Sequence, residues 1–542
     1  MLRTAMVFLC LVVLGSAGCT RQQARYQHRT SDALVIAMRK EPISLNPLLL
    51  EGTDSYAYSE LLFSYLTNYR SDGRVVGDIA REVPSIANGG ISDGGTRITY
   101  RLRRGVRWQD GAPLTAADVV FTYHAIMNPA NDVPERYGYD VVASIAAPDP
   151  YTVVITLKRP FSPIIGYFFG GDSNNAILPA HLLRERHDLN TAAFNAQPVG
   201  SGPYRFDRWD RGDHVTLTAN GSYYAGRPRI GRLVLPFISS DSTTISELQT
   251  GEVDAAFMLD ASRIAELRAI PDHRVIVTPV PYFYAISFNL QDPLTSDLAV
   301  RQAIALAIDR RALTRKISRG VYRADTAMRG LFTWAYDPAA DKAVYDPAQA
   351  RAVLARDGWT QGRGGIATKH GRALRLQLSY AAGSDITSRF AVAIAAAVRA
   401  VGIDMTLRSY ERGQFVETDG PLIQGRYQVS LYDYQGGYDP DASWLLSCGE
   451  RSPHGLNVSR YCNADVDRLL ERGAASYDRA ARAAVYRQVQ RRIARSLPYY
   501  FLCQISEVDV IPAQLGGYAP PLLSPFNSAA SWYWESPKAP AD

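Results

Sequence analysis

A strand, a helix and a second strand follow one another with short connections in the second half of this chain. Residues 374–380 are predicted to form a strand, residues 386–401 a helix that ends at Gly402, and residues 403–407 a second strand. Two strands joined through a helix usually pair in parallel, with the helix packed on the sheet. The sequence therefore predicts an α/β lobe.

An apolar and aromatic stretch at residues 277–289 precedes this unit and includes Pro279 and Pro281. We interpret the stretch as a crossing between two lobes. A chain of 542 residues is long enough for two or three domains.

The N-terminus has the pattern of a cleaved export signal. Arg3 precedes an almost wholly apolar run at residues 5–15, and small residues at 16–18 lead to Cys19. The run is too short for a membrane span, which needs about 20 apolar residues. The pattern resembles a lipobox, which implies that residues 1–18 are removed and that Cys19 carries lipid. The alternative is an ordinary secretory signal with an incidental cysteine.

The remaining composition fits a soluble protein outside the cytoplasm. The net charge is +6, and the basic residues are scattered among acids, so nucleic acid is not an expected partner. Cys448 and Cys462 could close a short disulfide loop in an oxidising compartment, although sequence alone cannot fix the pairing. Cys503 lies in an apolar run and is predicted to be a buried thiol.

Specific motifs for phosphate binding and for zinc-dependent hydrolysis are missing from the sequence. It contains no phosphate-binding G-x-x-x-x-G-K-[ST] and no H-E-x-x-H pattern. Asp439 and Asp441 flank Pro440 and could form an acid–base pair, as in a glycosidase. Such a sequence is more often a turn with a helix cap. We therefore predict no catalytic residue, no cofactor and no metal site.

Motifs that occur together in one protein family are spread over nearly the whole chain. They lie at residues 44–47, 78–80, 94–121, 198–204, 248–254, 288–289, 300–310, 345–359 and 461–467. A single motif of this kind would be weak evidence, but this many in the same order are specific. Together they resemble the family 5 extracellular solute-binding proteins, which are the dipeptide-, oligopeptide- and nickel-binding components of ABC importers.

The resemblance implies a two-lobed α/β clamshell of the type II periplasmic-binding-protein class, with an extra domain inserted into lobe one. The protein is then expected to be a monomer outside the cytoplasmic membrane, in the periplasm or at the cell surface. Its partners would be a small solute, a permease with its ATPase, and the membrane through the lipid on Cys19. The predicted parts are a signal peptide at 1–18, a tether at 19–31, lobe one at 32–72, 200–283 and 506–542, the insert at 73–199, and lobe two at 284–505.

The resemblance also locates a binding site. In peptide binders of this family, an aspartate four residues before an Asp-Pro proline pairs with the amino terminus of the peptide. Gly436 takes that position here, so Asp433 or Asp439 would have to replace the acid, or the ligand lacks a free amine. Aromatic residues nearby suit stacking on a ligand, or else pack in the core. The predicted ligand-binding residues are Tyr282, Tyr284, Asn289, Tyr432, Asp433, Tyr434, Gly436, Tyr438, Asp439 and Trp444.

Four functions remain open at this point. The chain is predicted to bind peptides for an importer, or to serve an importer of another solute, such as an oligosaccharide, an opine-like compound or chelated nickel. A third hypothesis is an exported hydrolase that uses Asp439 and Asp441. A fourth is a sensory or adhesion lipoprotein with the same clamshell and no transporter.

Overall fold

The computed structural model describes residues 32–50, 56–134, 136, 138–171, 175–325, 333–341, 344–437, 439–520 and 525–535. The signal peptide, Cys19, the tether and Tyr438 lie outside these residues. In the described part of the chain, no helix combines the length and the apolar character needed to cross a membrane.

The strands are short except for two. In chain order they are β1 Ala33–Ala37, β2 Thr67–Tyr69, β3 Val75–Gly77, β4 Ile91–Ser92, β5 Arg97–Arg101, β6 Val142–Asp149, β7 Thr152–Leu157, β8 Tyr204–Asp210, β9 His214–Ala219, β10 Arg232–Pro236, β11 Ala255–Ala256, β12 His273–Phe288, β13 Thr360–Gln361, β14 Ala367–Lys369, β15 Arg372–Ala373, β16 Arg375–Ala381, β17 Asp404–Tyr410, β18 Val429–Gln435, β19 Tyr499–Pro512, β20 Leu515–Gly516 and β21 Tyr533–Trp534.

The helices lie mostly against these sheets. They are α1 Tyr56–Leu62, α2 Ala116–Met127, α3 Ile164–Tyr167, α4 Ala180–Leu183, α5 Asp241–Thr250, α6 Ile264–Leu267, α7 Leu298–Ala307, α8 Arg310–Ile317, α9 Pro347–Arg356, α10 Asp385–Arg399, α11 Arg412–Val416, α12 Pro421–Gln424, α13 Ser443–Leu446, α14 Ala464–Ala475 and α15 Arg479–Ser496.

One large sheet extends through most of the molecule. Among the described residues it contains ten strands in the order β17-β16-β18-β12-β19-β11-β1-β10-β9-β8. We use lobe one for the part built on β1 and β8–β11, and lobe two for the part built on β16–β18. The insert is the part built on the sheet β4-β5-β7-β6 with α2 to α4.

The long strands β12 and β19 connect the two lobes. They pair antiparallel from His273↔Pro512 to Ser287↔Tyr499, and the register shifts between Pro279 and Phe283. The lobe-one end of β19 pairs with β11, and the lobe-two end of β12 pairs with β18. The predicted crossing at residues 277–289 therefore falls largely within β12. The exact residue bounds of the lobes stay a prediction.

The predicted strand–helix–strand unit is confirmed. β16 and β17 pair in parallel from Arg375↔Asp404 to Ala381↔Tyr410, with α10 between them in the chain. The hydroxyl of Ser384 accepts a hydrogen bond from the Thr387 amide and caps α10. One apolar face of α10 is buried at a spacing of about one turn, since side chains four apart share a face. Its residues are Ile386, Phe390, Ile394 and Val398.

Side chains of β12 alternate between two buried apolar clusters. Phe283 and Ala285 belong to a cluster confined to lobe two, whereas Tyr284 and Ile286 belong to a cluster that continues into lobe one. Because successive strand residues point to opposite faces, the two clusters cover opposite faces of the sheet. A third cluster fills lobe one together with the insert, and includes the fully buried Trp108.

Candidate functional site

The two lobes touch where β18 ends. Gln435, the last residue of β18, donates a hydrogen bond from Nε2 to the phenol oxygen of Tyr56 in α1, at 3.0 Å. Gly437 lies against Tyr167 of the insert, since a Cβ added to Gly437 would lie 2.8 Å from the Tyr167 hydroxyl oxygen. Because Gly437 has no side chain, the backbone after β18 can come close to lobe one and the insert.

A second contact joins the insert to the end of α14. The amide of Ser162 donates to the carbonyl of Ala474 at 2.6 Å, and the Tyr477 hydroxyl donates to the Gly95 carbonyl at 3.0 Å. Lobe two is thus held to the other half of the molecule at two separated points.

A cavity of about 140 Å³ lies in lobe two beside the first contact. Its lining comes from the lobe-two halves of β12 and β19, the residues after β18, α13 and α15, and the loop before α9. Three predicted binding residues, Gly436, Asp439 and Trp444, line it. Sequence reasoning missed most of the other lining residues, among them Phe283, Arg310, Asp337, Asp341, Leu445, Val489, Ile493, Tyr499 and Phe501.

Gly436 leaves no carboxylate at the position where the resemblance noted in the sequence implies one for peptide binders. Its amide donates to the carbonyl of Pro281 at 3.0 Å, and an added Cβ would lie 3.0 Å from that same oxygen. A side chain at this position would therefore need the β12 backbone to move.

Asp433, one candidate replacement, already has a cationic partner. The guanidinium of Arg412 donates to both carboxylate oxygens, at 2.9 and 3.1 Å, and lies 5.2 Å from the ring centroid of Tyr432. Burial would lower the pKa of Arg412, but the Asp433 charge outweighs it and raises that pKa. Burial and the Asp433 charge raise the pKa of Tyr432 to about 12. A ligand amine at Asp433 would have to compete with Arg412.

Asp439, the other candidate, is held by Arg482 at 2.5 Å. The same oxygen accepts the amide hydrogen of Asp441 at 2.9 Å, and Ser443 donates to Asp441 at 2.7 Å. This is a turn with a side-chain cap, the interpretation favoured for an Asp-Pro-Asp sequence. Burial lowers the pKa of Arg482, but the Asp439 carboxylate and the nearby Tyr486 raise it more.

Two of the predicted binding tyrosines lie in the interior instead of the cavity. Tyr284 is 5% exposed, and its hydroxyl hydrogen-bonds Thr387 Oγ1 at 2.9 Å. Tyr434 is also 5% exposed and hydrogen-bonds Ser287 Oγ at 2.5 Å. Both rings pack among other aromatic rings, so the structure gives them a packing role. Tyr282 is half-buried in β12 and pairs with Gln435 of β18.

Asn289 is also placed away from the cavity. Its side-chain amide donates to the carbonyls of Gly425 and Tyr427, at 3.0 and 2.9 Å, and its Oδ1 accepts the Gln291 amide hydrogen. These bonds use the side chain to fix the loop after β12. We therefore assign Asn289 to backbone support.

The cysteines occupy two environments. Cys448 and Cys462 form a disulfide that closes the segment between α13 and α14. Cys503 is a buried free thiol in β19, and burial raises its pKa to about 12. Across the described ranges, no group of three or more His, Cys, Asp or Glu side chains is arranged to hold a metal ion.

Comparisons with known proteins agree with this architecture. The chain is 28% identical over 505 residues to Protein XP55 of Streptomyces lividans, a match covering 92% of this chain and 88% of that protein. The oligopeptide-binding protein AppA of Bacillus subtilis, solved with a nonapeptide, superposes with a TM-score of 0.77 at 25% identity, over 93% of this chain and 99% of AppA. NikZ of Campylobacter jejuni, solved with Ni(L-His), has a TM-score of 0.78 at 23% identity, over 93% and 100% of the two chains.

The solved relatives are type II periplasmic binding proteins, which confirms the predicted fold class. Residues 76–452 match the family described as bacterial extracellular solute-binding proteins, family 5 Middle. Because that match covers most of the chain, this protein belongs to the family 5 bacterial extracellular solute-binding proteins.

Proposed function

We propose that this protein captures peptides between its two lobes and delivers them to the permease of an ABC importer. The single observation that carries the proposal is the cavity beside the Gln435–Tyr56 contact, where lobe two meets lobe one. AppA, an oligopeptide-binding protein 26% identical over 498 residues, supports the choice of peptide.

Closure around the ligand is the proposed mechanism. A two-lobed binding protein exchanges between open and closed states that differ by a few kcal/mol, and a ligand that touches both lobes favours the closed state. β12 and β19 are the continuous connections between the lobes, and the register shift between Pro279 and Phe283 interrupts their ladder. We assign the hinge to this interruption, because fewer hydrogen bonds between β12 and β19 are distorted there when the lobes move relative to each other.

Attachment to the membrane completes the proposal. Lipid on Cys19 and the tether at residues 19–31 would keep the monomer near its permease and raise the effective concentration of the complex. The permease and its ATPase would then receive the peptide outside the cytoplasmic membrane.

Ligand screening of the purified mature protein tests the proposal. Peptides should raise Tm in a dose-dependent way, because a ligand that binds the native state stabilises it. Native mass spectrometry should find the peptide bound with its mass unchanged. Stabilisation by oligosaccharides, opine-like compounds or chelated nickel, with no response to peptides, would contradict the peptide assignment. Cleavage of the peptide that depends on Asp439 would favour the hydrolase instead.

A further inference from the structure

The walls of the lobe-two cavity are mainly apolar. Leu445 and Leu446 of α13 form one side, and Val489 and Ile493 of α15 form another. These four side chains are at most 5% exposed, so they are fixed by the surrounding core. A rigid apolar wall favours the binding of an apolar ligand group, because the surface of that group is removed from water when it enters the cavity.

Aromatic rings form the wall provided by the crossing strands. Phe283 and Phe501 meet edge to face, with ring centroids 5.3 Å apart and planes at 64°. Tyr499 lies 6.4 Å from Phe501 on the same wall. Aromatic groups prefer such tilted or offset arrangements at centroid separations of about 4.5–7 Å. A further ring entering the cavity would find partners for this geometry.

Three of the four carboxylates that line the cavity are paired with arginines, and the fourth, Asp441, accepts a hydrogen bond from the Ser443 hydroxyl at 2.7 Å. At the three paired carboxylates a cationic guest would have to displace a guanidinium, and an anionic guest would meet the carboxylates themselves. Neutral groups are therefore favoured. The pairs are Asp337 with Arg491, Asp341 with Arg310, and Asp439 with Arg482.

The cavity borders the place where the lobes meet. Gly436 and Gly437 line it, and Gly437 also lies against Tyr167 of the insert. A ligand whose main chain lies between the lobes can thus place one side chain past the glycines into lobe two.

We propose that this cavity is a specificity subsite that accepts one neutral aromatic side chain of the bound peptide. The inference rests on the proposed peptide-binding function and adds the class of side chain. The volume of about 140 Å³ suits a single ring, since a buried apolar cavity of about 150 Å³ is large enough to bind benzene.

The test compares pairs of peptides that differ only by phenylalanine or alanine at one position. The varied position is moved along the peptide from one pair to the next. We expect calorimetry to show one position where the phenylalanine peptide binds roughly 10- to 100-fold tighter, from burial of the ring. Ala442→Phe and Val489→Phe place a ring in the cavity from two different walls. Either should reduce the preference to within about three-fold, because the introduced ring occupies the space that the phenylalanine side chain would take.

Ala484→Phe is the matched control. This exposed residue lies on α15 outside the lining of the cavity, so the variant should keep the full preference. Ala442 is only half-buried, so its substitution tests the subsite even where Val489→Phe fails to fold. A preference near one at every position, or a preference that both filling variants retain, overturns the subsite and leaves peptide binding standing. Failure of all peptides to bind overturns the proposed function as well.

Discussion

Gln435 and Tyr56 are 379 residues apart in the chain, yet their side chains hydrogen-bond at 3.0 Å across the lobe boundary. This bond forms only when the lobes are together, so its free energy contributes to the closed state. It is a contact between protein groups and does not require a particular ligand.

Removing this bond is predicted to weaken ligand binding. Gln435→Ala and Tyr56→Phe should each raise Kd roughly two- to twelve-fold, because a hydrogen bond of this kind contributes about 0.5–1.5 kcal/mol. The double variant should lose no more than either single variant, since both remove the same interaction. Calorimetry on the four proteins measures the cycle. Additive losses would show that the two residues act independently.

Gly437 is predicted to be essential for close approach of the lobes. Gly437→Ala would place a methyl group 2.8 Å from the Tyr167 hydroxyl oxygen. We expect a loss of affinity of about 1–3 kcal/mol from the overpacked contact, with little change in Tm. Tyr167→Ala should restore much of the affinity in the double variant.

The control for this variant is Gly449→Ala. An added Cβ at Gly449 meets no atom within 4 Å, so its affinity should equal that of the wild type. Equal losses in the two alanine variants would contradict a steric origin at Gly437.

The fold follows from sequence pattern more readily than the site does. The unit at residues 374–407 was predictable because helix and strand periods differ, and Gly402 marks the end of its helix. Which face of a strand meets the core is harder to predict when aromatic residues alternate with polar ones. Tyr434 is buried and Asp433 is ion-paired, although both fall in one aromatic-rich stretch of β18.

Pairings between distant residues account for most of what sequence reasoning missed. Arg412 neutralises Asp433 from 21 residues away, and Arg310 binds Asp341 from 31 residues away. No local period or motif specifies such pairs, because they depend on how helices dock on the sheet. The run that begins at Tyr499 was recognised as apolar, but its contribution to the cavity depends on its pairing with β12.

Asp509 is predicted to make the free energy of unfolding depend on pH between about 4 and 6. Burial raises its pKa to about 6, although Tyr518 and the Met258 amide donate to it. The folded state therefore binds this proton more tightly than the unfolded state does. The stabilisation is complete below the unfolded pKa near 4 and is lost as pH rises through 6, by about 3 kcal/mol at most.

Chemical unfolding of the wild type and Asp509→Asn at several pH values measures this effect. The unfolding free energy of the wild type should fall relative to that of Asp509→Asn as pH rises from about 4 to 6. Tyr518→Phe keeps the carboxyl group and should retain a pH-dependent slope in this window. Parallel curves for the wild type and Asp509→Asn would exclude Asp509 as the source.

Cys19 is predicted to anchor the mature protein. Cys19→Ser should accumulate as an unprocessed precursor or a soluble product, because no thiol remains to carry the lipid. Membrane fractionation and intact mass measure the outcome. Cys503→Ser is the matched control and should remain membrane-bound. Unchanged membrane attachment of Cys19→Ser would rule out lipidation at this residue.

Peptides with a blocked amino terminus are predicted to bind about as well as free ones. Gly436 supplies no carboxylate for an amine, and the carboxylates of Asp433 and Asp439 are already bound by Arg412 and Arg482. Acetylation should therefore change Kd by less than about three-fold, whereas loss of a direct amine–carboxylate pair would cost 10-fold or more. Calorimetry with free and acetylated forms of one peptide measures the ratio. A large loss on acetylation would mean that one of the two aspartates exchanges its arginine for the ligand amine, and Asp433→Asn and Asp439→Asn would then identify which.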